Sequence, residues 1–355
     1  MNPATTIGIA TTLRVMNHQG RITVPFYQWM NQRASQVGAR LLFFDPKSFR
    51  RQDATVVGWR SDVSDHKLAT FRLPSVIYDN VFVHLAVNGY VQPLRSYAKE
   101  HGLLVFNPIM PGKAAMQRIL MQNPIAGLKV PDTKVIRDYS TLQTMLQKHG
   151  TVYVKPSGGY GGRMVFRIAQ KHRLYHVRCD RFVHGGKMES MLREHELVSL
   201  YQRFLARHVQ LIQEEIPRLM IAERHMDFRV VLCRDGQGQW KMIGIIPKLA
   251  AKDGVVTNLV GGGERVMLSK LQDYLSTQKV EMITRHLKAT SLALSNRLRS
   301  EYPLFGLVGY DLGVSPEGQV WFIEMNPKPA RSLLYASMKE ELAKYLVDYA
   351  LFLLR

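Results

Sequence analysis

Two carboxylates and one amide lie close together near the C-terminal end of the sequence. Residues 307–314 are strand-like and carry Asp311, and residues 315–318 have the Pro and Gly positions of a type I turn. The returning strand carries Glu324 and Asn326, which are two residues apart and therefore share a face. Mg²⁺ prefers such oxygen donors, usually with substrate phosphates completing its shell. The hairpin therefore predicts a metal site, and the alternative is a surface hairpin whose polar residues face water.

A glycine-rich segment follows the strand-like residues 151–155. Residues 157–162 read Ser-Gly-Gly-Tyr-Gly-Gly, and Lys155 stands just before them. Glycines let backbone N–H groups approach a phosphate without side-chain hindrance, and the Lys155 ammonium adds a point charge. The segment lacks the ending of a Walker A loop and does not match a dinucleotide fingerprint. A glycine-rich hairpin turn explains the same residues equally well.

A third segment ends a strand-like run just before Pro217. It consists of Gln213, Glu214, Glu215 and Ile216. Such a strand end can offer backbone groups to an adenine ring and a carboxylate to its amine. An exposed strand end without a ligand is the competing interpretation.

Two cations and a second glycine-rich segment complete the candidate chemistry. Arg229 and Lys248 lie on strand-like segments that could share a face, and residues 256–263 read Val-Thr-Asn-Leu-Val-Gly-Gly-Gly. Cations beside such a backbone suit the negative charge that develops on a transferring phosphoryl group. The alternative for Arg229 is a salt bridge to Asp227, two residues away on the same face.

The composition describes a strongly basic, globular chain. Its 355 residues are 46% hydrophobic and carry 48 basic against 28 acidic side chains, a net charge of +20. This length suits about two or three packed domains. The charge indicates a polyanionic partner, and scattered surface charge is the alternative. Residues 163–207 hold ten basic against four acidic side chains, which indicates either a lid facing an anion or a solvated helix face.

Several classes of protein are excluded by what the sequence lacks. Cys179 and Cys233 have no metal-site or disulfide spacing, which favours a reducing compartment. No signal peptide and no apolar run of about 18 residues is recognisable, so we expect a soluble cytoplasmic protein with no membrane partner. The helix-turn-helix, zinc and aromatic-platform motifs of nucleic-acid-binding proteins are also missing.

The order of elements predicts three sections. Strands and helices alternate over residues 1–108, which favours a parallel sheet. Pro108, Pro111 and Gly112 then mark a boundary. A helix is expected at 113–122, a hairpin at 164–168 and 174–178, and a helix at 189–208. From residue 210 onward, strands are expected to dominate until a closing helix at 333–354.

In this order the segments resemble the ATP-grasp superfamily, and more closely its YheC/YheD group, associated with the coat of bacterial endospores. The resemblance spans about residues 7–331, and its parts are KPSGGYGG at 155–162, QEEI at 213–216, DFRVVL at 227–232, TNLVGGG at 257–263, and GYDLG with WFIEMNPKPAR within 309–331. It implies an α/β (α+β) chain with the ATP-grasp fold. The implied parts are an N-terminal parallel-sheet pre-ATP-grasp domain (1–108), a central lid subdomain (109–209) and a C-terminal antiparallel-sheet subdomain that binds metal and substrate (210–355).

The resemblance also implies roles for single residues. The α- and β-phosphates of ATP would contact Lys113 and Lys155. The loop that closes over the γ-phosphate would comprise Ser157, Gly158, Gly159, Tyr160, Gly161 and Gly162. The adenine pocket would be lined by Gln213, Glu214, Glu215 and Ile216. Mg²⁺ would bind Asp311, Glu324 and Asn326. The acyl phosphate would be stabilised by Arg229, with Lys248, Asn258 and Gly262 beside it. Lys248 stands where many related ligases carry arginine, so a bidentate grip would be lost.

The implied activity is ADP-forming ligation of a carboxylate to an amine through an acyl phosphate. The substrates would be an acid and an amine, and the candidate acids are acidic peptides and amino acids attracted to the basic lid. Three alternatives stay open: a coat or scaffold protein that binds nucleotide with little turnover, a nucleic-acid-binding protein, and a small-molecule kinase. Association with the spore and the oligomeric state are left open by the residues themselves.

Overall fold

The computed structural model describes residues 5–12, 15, 22–62, 68–158 and 161–355. Three sheets organise these residues, and they agree with the mixed α/β architecture predicted from the sequence. Among the described residues, no helix is both long enough and apolar enough to cross a membrane.

The first sheet is built from the N-terminal residues. Its elements, with the helices between them, are β1 (Thr5–Ala10), α1 (Pro25–Gln36), β2 (Ala39–Phe44), β3 (Thr55–Arg60), β4 (Ala69–Arg72), β5 (Val76–Asp79), α2 (Val83–Val87), α3 (Gln92–Glu100) and β6 (Leu104–Phe106). The strand order is β4-β3-β2-β1-β5-β6, and β2, β1, β5 and β6 run parallel. Apolar side chains of α1 pack on one face and those of α3 on the other. The predicted parallel sheet is therefore confirmed.

The central section, residues 113–214, contains the strands of the second sheet. Its elements are α4 (Lys113–Gln122), β7 (Leu128–Lys129), β8 (Thr133–Val135), α5 (Tyr139–His149), β9 (Thr151–Pro156), β10 (Phe166–Lys171), β11 (Leu174–Cys179), β12 (Met188–Leu192), α6 (Glu194–Leu200), a π-helical turn (Tyr201–Leu205) and β13 (Gln210–Glu214). The strand order is β12-β11-β10-β9-β13-β8. Leu142, Leu197 and their neighbours on α5 and α6 cover one face of this sheet.

The helix expected at 189–208 begins later than predicted. Residues 188–192 pair with β11 as an antiparallel edge strand. The helix begins at Glu194, where the Glu196 carboxylate accepts a 2.7 Å hydrogen bond from the Arg193 N–H. This side-chain cap fixes the helix start and separates the strand from the helix.

The third sheet contains the remaining elements. They are β14 (Met220–Ile221), β15 (Arg224–Arg234), β16 (Trp240–Leu249), β17 (Glu264–Arg265), α7 (Thr277–Glu301), β18 (Leu307–Val314), β19 (Val320–Asn326) and α8 (Ala336–Phe352). The strand order is β17-β16-β15-β18-β19-β7, with β14 paired to β15. Helix α8 shares a hydrophobic cluster with α1 and the first sheet, whereas α7 covers the other face.

The expected strands are present in this section, but the expectation missed α7, a helix of 25 residues between β17 and β18. Val280, Ile283, Leu287 and Leu294 are buried at helical spacing, and Ser276 caps the helix start through a hydrogen bond from the Lys279 N–H.

Two strands also cross the proposed section boundaries: β7 joins the third sheet, and β13 joins the second. The three-part division of the chain stays a prediction.

Candidate active site

The carboxylate hairpin is formed by β18 and β19. In its register Asp311 lies opposite Glu324, and Gly309 lies opposite Asn326. The Asn326 amide donates a 3.2 Å hydrogen bond to Asp311 Oδ2. Two carboxylates and one amide therefore lie together at one end of the hairpin, and this oxygen-rich set fits Mg²⁺.

Asp311 is buried between two cations. The Arg229 guanidinium donates from Nε and Nη2 to its two oxygens at 2.9 and 2.8 Å, and Lys248 Nζ lies 2.8 Å from Oδ1. Burial by itself would raise the pKa of Asp311, but the charges of Arg229 and Lys248 hold it well below its usual range. Asp311 is therefore a carboxylate at neutral pH.

Asp227 extends the charge network, and its partner differs from the one expected. Arg229 pairs with Asp311 across β15 and β18, whereas Asp227 lies 2.8 Å from Lys248 Nζ. The alternative pairing of Arg229 with Asp227 was therefore wrong, because cross-strand register places closer partners beside both side chains. Thr257 donates a short hydrogen bond to Asp227 Oδ2. Residues 256–263 are thereby joined to the network.

A second group of charges faces the hairpin from α4 and β9. Lys113 Nζ lies 3.5 Å from Glu324 Oε1, and Lys155 donates a 2.9 Å hydrogen bond to the Gln213 side-chain oxygen. Burial lowers the pKa of Lys155 to about 8, with the nearby charge of Lys113 acting in the same direction. These groups surround one pocket, lined by Pro111, Lys113, Met116, Gln117, Lys155, Leu211, Phe322, Ile323, Glu324 and Met325.

The glycine-rich segment lies against residues 255–258. Gly159 and Tyr160 lie outside the described residues. A Cβ added to the neighbouring Gly158 would have no atom within 4 Å. Gly162 has φ +71°, and a Cβ there would lie 2.7 Å from the Asn258 amide nitrogen. Only glycine fits this close approach without strain. The segment therefore meets Asn258 by direct packing.

Two further contacts fix this arrangement. Arg181 donates a 2.7 Å hydrogen bond to the Gly161 carbonyl, and Asp180 accepts hydrogen bonds of 2.7 and 2.9 Å from the N–H groups of Val255 and Val256. Gly262 is left-handed, with φ +86°, and follows in the same loop. Ser157 belongs to the strand end, where its N–H bonds the Val209 carbonyl at 3.0 Å.

The segment proposed for adenine divides between two faces of β13. Gln213 faces Lys155, whereas the Glu214 side chain accepts a 2.8 Å hydrogen bond from the Asp132 N–H and lies 3.1 Å from His149. The Arg167 guanidinium holds Glu215 through hydrogen bonds of 2.7 and 2.9 Å. Both glutamate side chains are thus engaged in structural pairs.

Ile216 ends this segment and is only 8% exposed. It packs against the backbone of Gly313, where a Cβ would lie 2.6 Å from Ile216 Cδ1. The segment is therefore joined to β18, the strand of Asp311. Of its four residues, Gln213 is the one whose side chain contacts the Lys155 ammonium.

Sequence reasoning missed several members of the site. Thr257 had no predicted role, and Asp227 was predicted only as an alternative partner of Arg229, although alternation along β15 places both charged side chains on one face. Asp180 and Arg181 gave no local signal, because their partners lie far away in sequence. Gln117 stands one helical turn after Lys113, and this spacing could have placed it in the pocket wall.

Comparisons with known proteins identify the family of the chain. A sequence model described as YheC/D-like ATP-grasp matches residues 102–353. The chain belongs to the YheC/D-like ATP-grasp family. Two relatives from Bacillus subtilis (strain 168) are named endospore coat-associated proteins. YheD is 22% identical over 306 residues, covering 84% of this chain and 66% of its own length, and YheC is 24% identical over 324 residues, covering 87% and 86%. The chain thus spans just under two thirds of YheD.

Two solved structures share the fold of this YheC/D-like chain at 13% identity each. The first is the ADP complex of N5-carboxyaminoimidazole ribonucleotide synthetase, with a TM-score of 0.50 over 94% of this chain and 72% of that one. The second is the macrocyclase MdnC from Microcystis aeruginosa MRC bound with its precursor peptide, with a TM-score of 0.52 over 97% and 100%. At this identity the likeness shows the ATP-grasp fold alone.

Proposed function

We propose that this protein is an ADP-forming carboxylate–amine ligase. The observation that carries the proposal is that two groups of charged side chains meet at the β18–β19 hairpin. Lys113 and Lys155 line a pocket with Glu324, and Asp311, opposite Glu324 on the hairpin, holds Arg229 and Lys248. Buried charges of both signs at the end of an apolar sheet are typical of a functional site.

The proposed reaction has two steps. An oxygen of the acid's carboxylate attacks the γ-phosphorus of ATP, and the bond from that phosphorus to the β–γ bridging oxygen breaks. ADP leaves with the electron pair, and an acyl phosphate remains. The amine nitrogen then attacks the acyl carbon, the carbon–oxygen bond to phosphate breaks, and inorganic phosphate leaves while the nitrogen loses a proton to solvent. Such chemistry needs positioning and charge stabilisation more than a protein nucleophile.

The residues divide this work by their positions. Lys113 and Lys155 balance the triphosphate charge, and Arg229 with Lys248 stabilises the charge that develops on the transferred group. Mg²⁺, which the oxygens of Asp311, Glu324 and Asn326 fit, would neutralise phosphate oxygens when bound. The glycine-rich segment 157–162 with Asn258 and Gly262 offers backbone donors. The adenine side is formed by the backbone of Gln213, Glu214, Glu215 and Ile216 together with the Gln213 side chain, because the two glutamate side chains are paired with Asp132, His149 and Arg167.

The proposed acid is an acidic peptide or amino acid. Residues 109–209 carry 17 basic against 6 acidic side chains, so an anionic substrate meets a favourable field at this section. The macrocyclase that shares the fold was solved with a peptide bound. The proposed location is the cytoplasm, with association with the spore, since YheC and YheD are named coat-associated.

The names of these relatives also favour a second candidate, a nucleotide-binding coat protein with little turnover. ADP release separates the two. The protein is incubated with Mg²⁺, ATP and pools of acids and amines, and hydroxylamine is added as a trap for the acyl phosphate. The ligase requires ADP formation that depends on an acid, together with a hydroxamate product.

The matched variants lie on the same hairpin. Glu324→Ala should abolish ADP formation, and Glu317→Ala, in the exposed turn, should leave it unchanged. ATP binding without ADP from any pool would favour the coat protein. ADP formation without hydroxamate, but with a phosphorylated hydroxyl compound, would indicate a kinase.

A further inference from the structure

A second polar cluster lies where the first sheet meets the continuation of β19. Strands β1 and β5 are parallel neighbours whose following helices, α1 and α3, lie on opposite faces of the sheet. Their carboxyl ends, at Ala10 and Asp79, therefore flank a topological switch point. In open α/β sheets such an edge forms a crevice in which ligands bind.

The chain that follows Asn326 crosses this edge. Asn107 donates a 3.2 Å hydrogen bond to the Pro327 carbonyl, Lys328 Nζ lies 2.6 Å from Asp79, and Arg331 donates a 3.1 Å hydrogen bond to the Asn80 side-chain oxygen. Asn326, the last candidate metal ligand on the β18–β19 hairpin, is thus followed directly by a segment that polar contacts hold at the switch point. Arg331 follows Asn326 by five positions in the sequence, a span of at most about 18 Å.

The charges at this edge do not balance. Asp79 is fully buried and binds both Arg95 and Lys328, so one carboxylate already serves two cations. Arg331 adds a third positive charge. Among the residues that the structure describes, no carboxylate lies within ion-pair distance of Arg331. The cluster therefore has an excess of positive charge that an anionic ligand would neutralise.

Arg331 is held in a fixed orientation. Its guanidinium carbon lies 4.2 Å from the Phe26 ring centroid and 5.5 Å from that of Tyr27. The Asn80 amide, which binds Arg331 through its oxygen, also donates to the Tyr27 hydroxyl. A guanidinium has five N–H donors, and one is used here, so an oriented fork is available for a carboxylate.

We infer that Arg331 binds a second carboxylate of the acid substrate, separate from the one that is activated. The inference rests on the proposed ligase function and narrows its substrate class to acids that carry at least two carboxylates, such as acidic amino acids and acidic peptides. Asn80 positions the fork through its hydrogen bond, and the rings of Phe26 and Tyr27 lie next to the guanidinium.

The binding test uses glutarate and glutaramate, its analogue in which one carboxylate is an amide. Phenylglyoxal modifies accessible guanidinium groups, and peptide mass mapping reports the modification of Arg331. Glutarate should slow this modification several-fold more than glutaramate does. Equal modification of Arg331 with glutarate, with glutaramate and with neither would overturn the inference.

The kinetic test compares Arg331→Met with Arg297→Met, a change on α7 of an arginine whose side chain is 34% exposed and pairs with Glu301. A charge-assisted hydrogen-bond pair accounts for about 10- to 100-fold in binding. Arg331→Met should raise the KM for glutarate by about that factor and leave the KM for ATP and the melting temperature unchanged. Arg331→Met should leave the KM for glutaramate unchanged. An equal KM for glutarate in Arg331→Met and in Arg297→Met would contradict the inference.

The two tests separate the inference from the function on which it rests. Protection of Arg331 by glutarate without ADP formation would keep the dicarboxylate site and reject the ligase. ADP formation with Arg331 unprotected would keep the ligase and reject the site.

Discussion

Replacing Asp311 with asparagine removes a carboxylate to which both Arg229 and Lys248 bind. All three side chains are at most 10% exposed. Arg229 loses its carboxylate partner and one of its two hydrogen bonds, because asparagine has a single acceptor oxygen, whereas Lys248 keeps Asp227. Removing one partner of a buried pair costs about 3–5 kcal/mol, because the other charge is left without compensation. We therefore expect Asp311→Asn to lower the free energy of unfolding by about 3–5 kcal/mol at pH 7.

The pH dependence follows from the depressed pKa of Asp311. The folded-state pKa lies below the unfolded value of about 4, so the stabilisation is fully present above that pH. It is lost as the pH falls from that value toward the folded-state pKa, because over this range the unfolded chain binds a proton that the folded protein does not. The difference between wild type and Asp311→Asn should be constant from about pH 5 to 7 and should narrow below about pH 4.

Urea unfolding followed by tryptophan fluorescence measures this difference. Asp273→Asn provides the control, since its carboxylate is 57% exposed and its contact with Lys270 lies on the surface. A combined change of Arg229 and Asp311 to leucine should recover much of the loss, because no buried charge of this pair remains uncompensated. A loss below about 0.5 kcal/mol for Asp311→Asn, similar to a surface change, would refute the reasoning.

Two further predictions concern the phosphate side of the site. ATP affinity should fall as the pH rises through about 8, because Lys155 loses its proton there, and this fall should be absent in Lys155→Arg. Titration of ATP binding between about pH 6 and 9.5 measures the affinity. An identical fall in the arginine variant would exclude Lys155 as the cause. Gly162→Ala should lower activity and melting temperature because its Cβ would meet Asn258 at 2.7 Å in a left-handed backbone. Gly186→Ala should change neither, because φ there is −67° and the nearest atom to a Cβ lies 3.7 Å away. Equal effects of the two changes would show that the close approach is not required.

Local patterns predicted much of the hairpin and little of its surroundings. The turn at 315–318 and the alternation on either side of it were enough to place Asp311 near Glu324. The partner of Arg229 could not be predicted in the same way, since it depends on the register between β15 and β18, which are 82 residues apart at this pair. Long-range register is set by packing of the whole sheet and leaves no local signal.

Other differences did have a local signal. Gln213 and Glu214 are adjacent on a strand and must point to opposite faces, so they could not both face the nucleotide with their side chains. The apolar spacing of α7 is helical throughout, although polar residues interrupt it. The position of Arg331 beside Asn80 depends on packing between the first and third sheets, which the sequence alone does not reveal.

The fate of the acid's oxygen atoms tests the central claim most directly. An acid that supports ADP formation is labelled with ¹⁸O in its carboxylate and incubated with Mg²⁺, ATP and the amine, and the inorganic phosphate is analysed by mass spectrometry. The acyl-phosphate route transfers one carboxylate oxygen to phosphate, so each phosphate released should carry one ¹⁸O atom, and none should form with Glu324→Ala. Phosphate that forms without the label would contradict the account, because its oxygen would then come from water and the protein would be hydrolysing ATP.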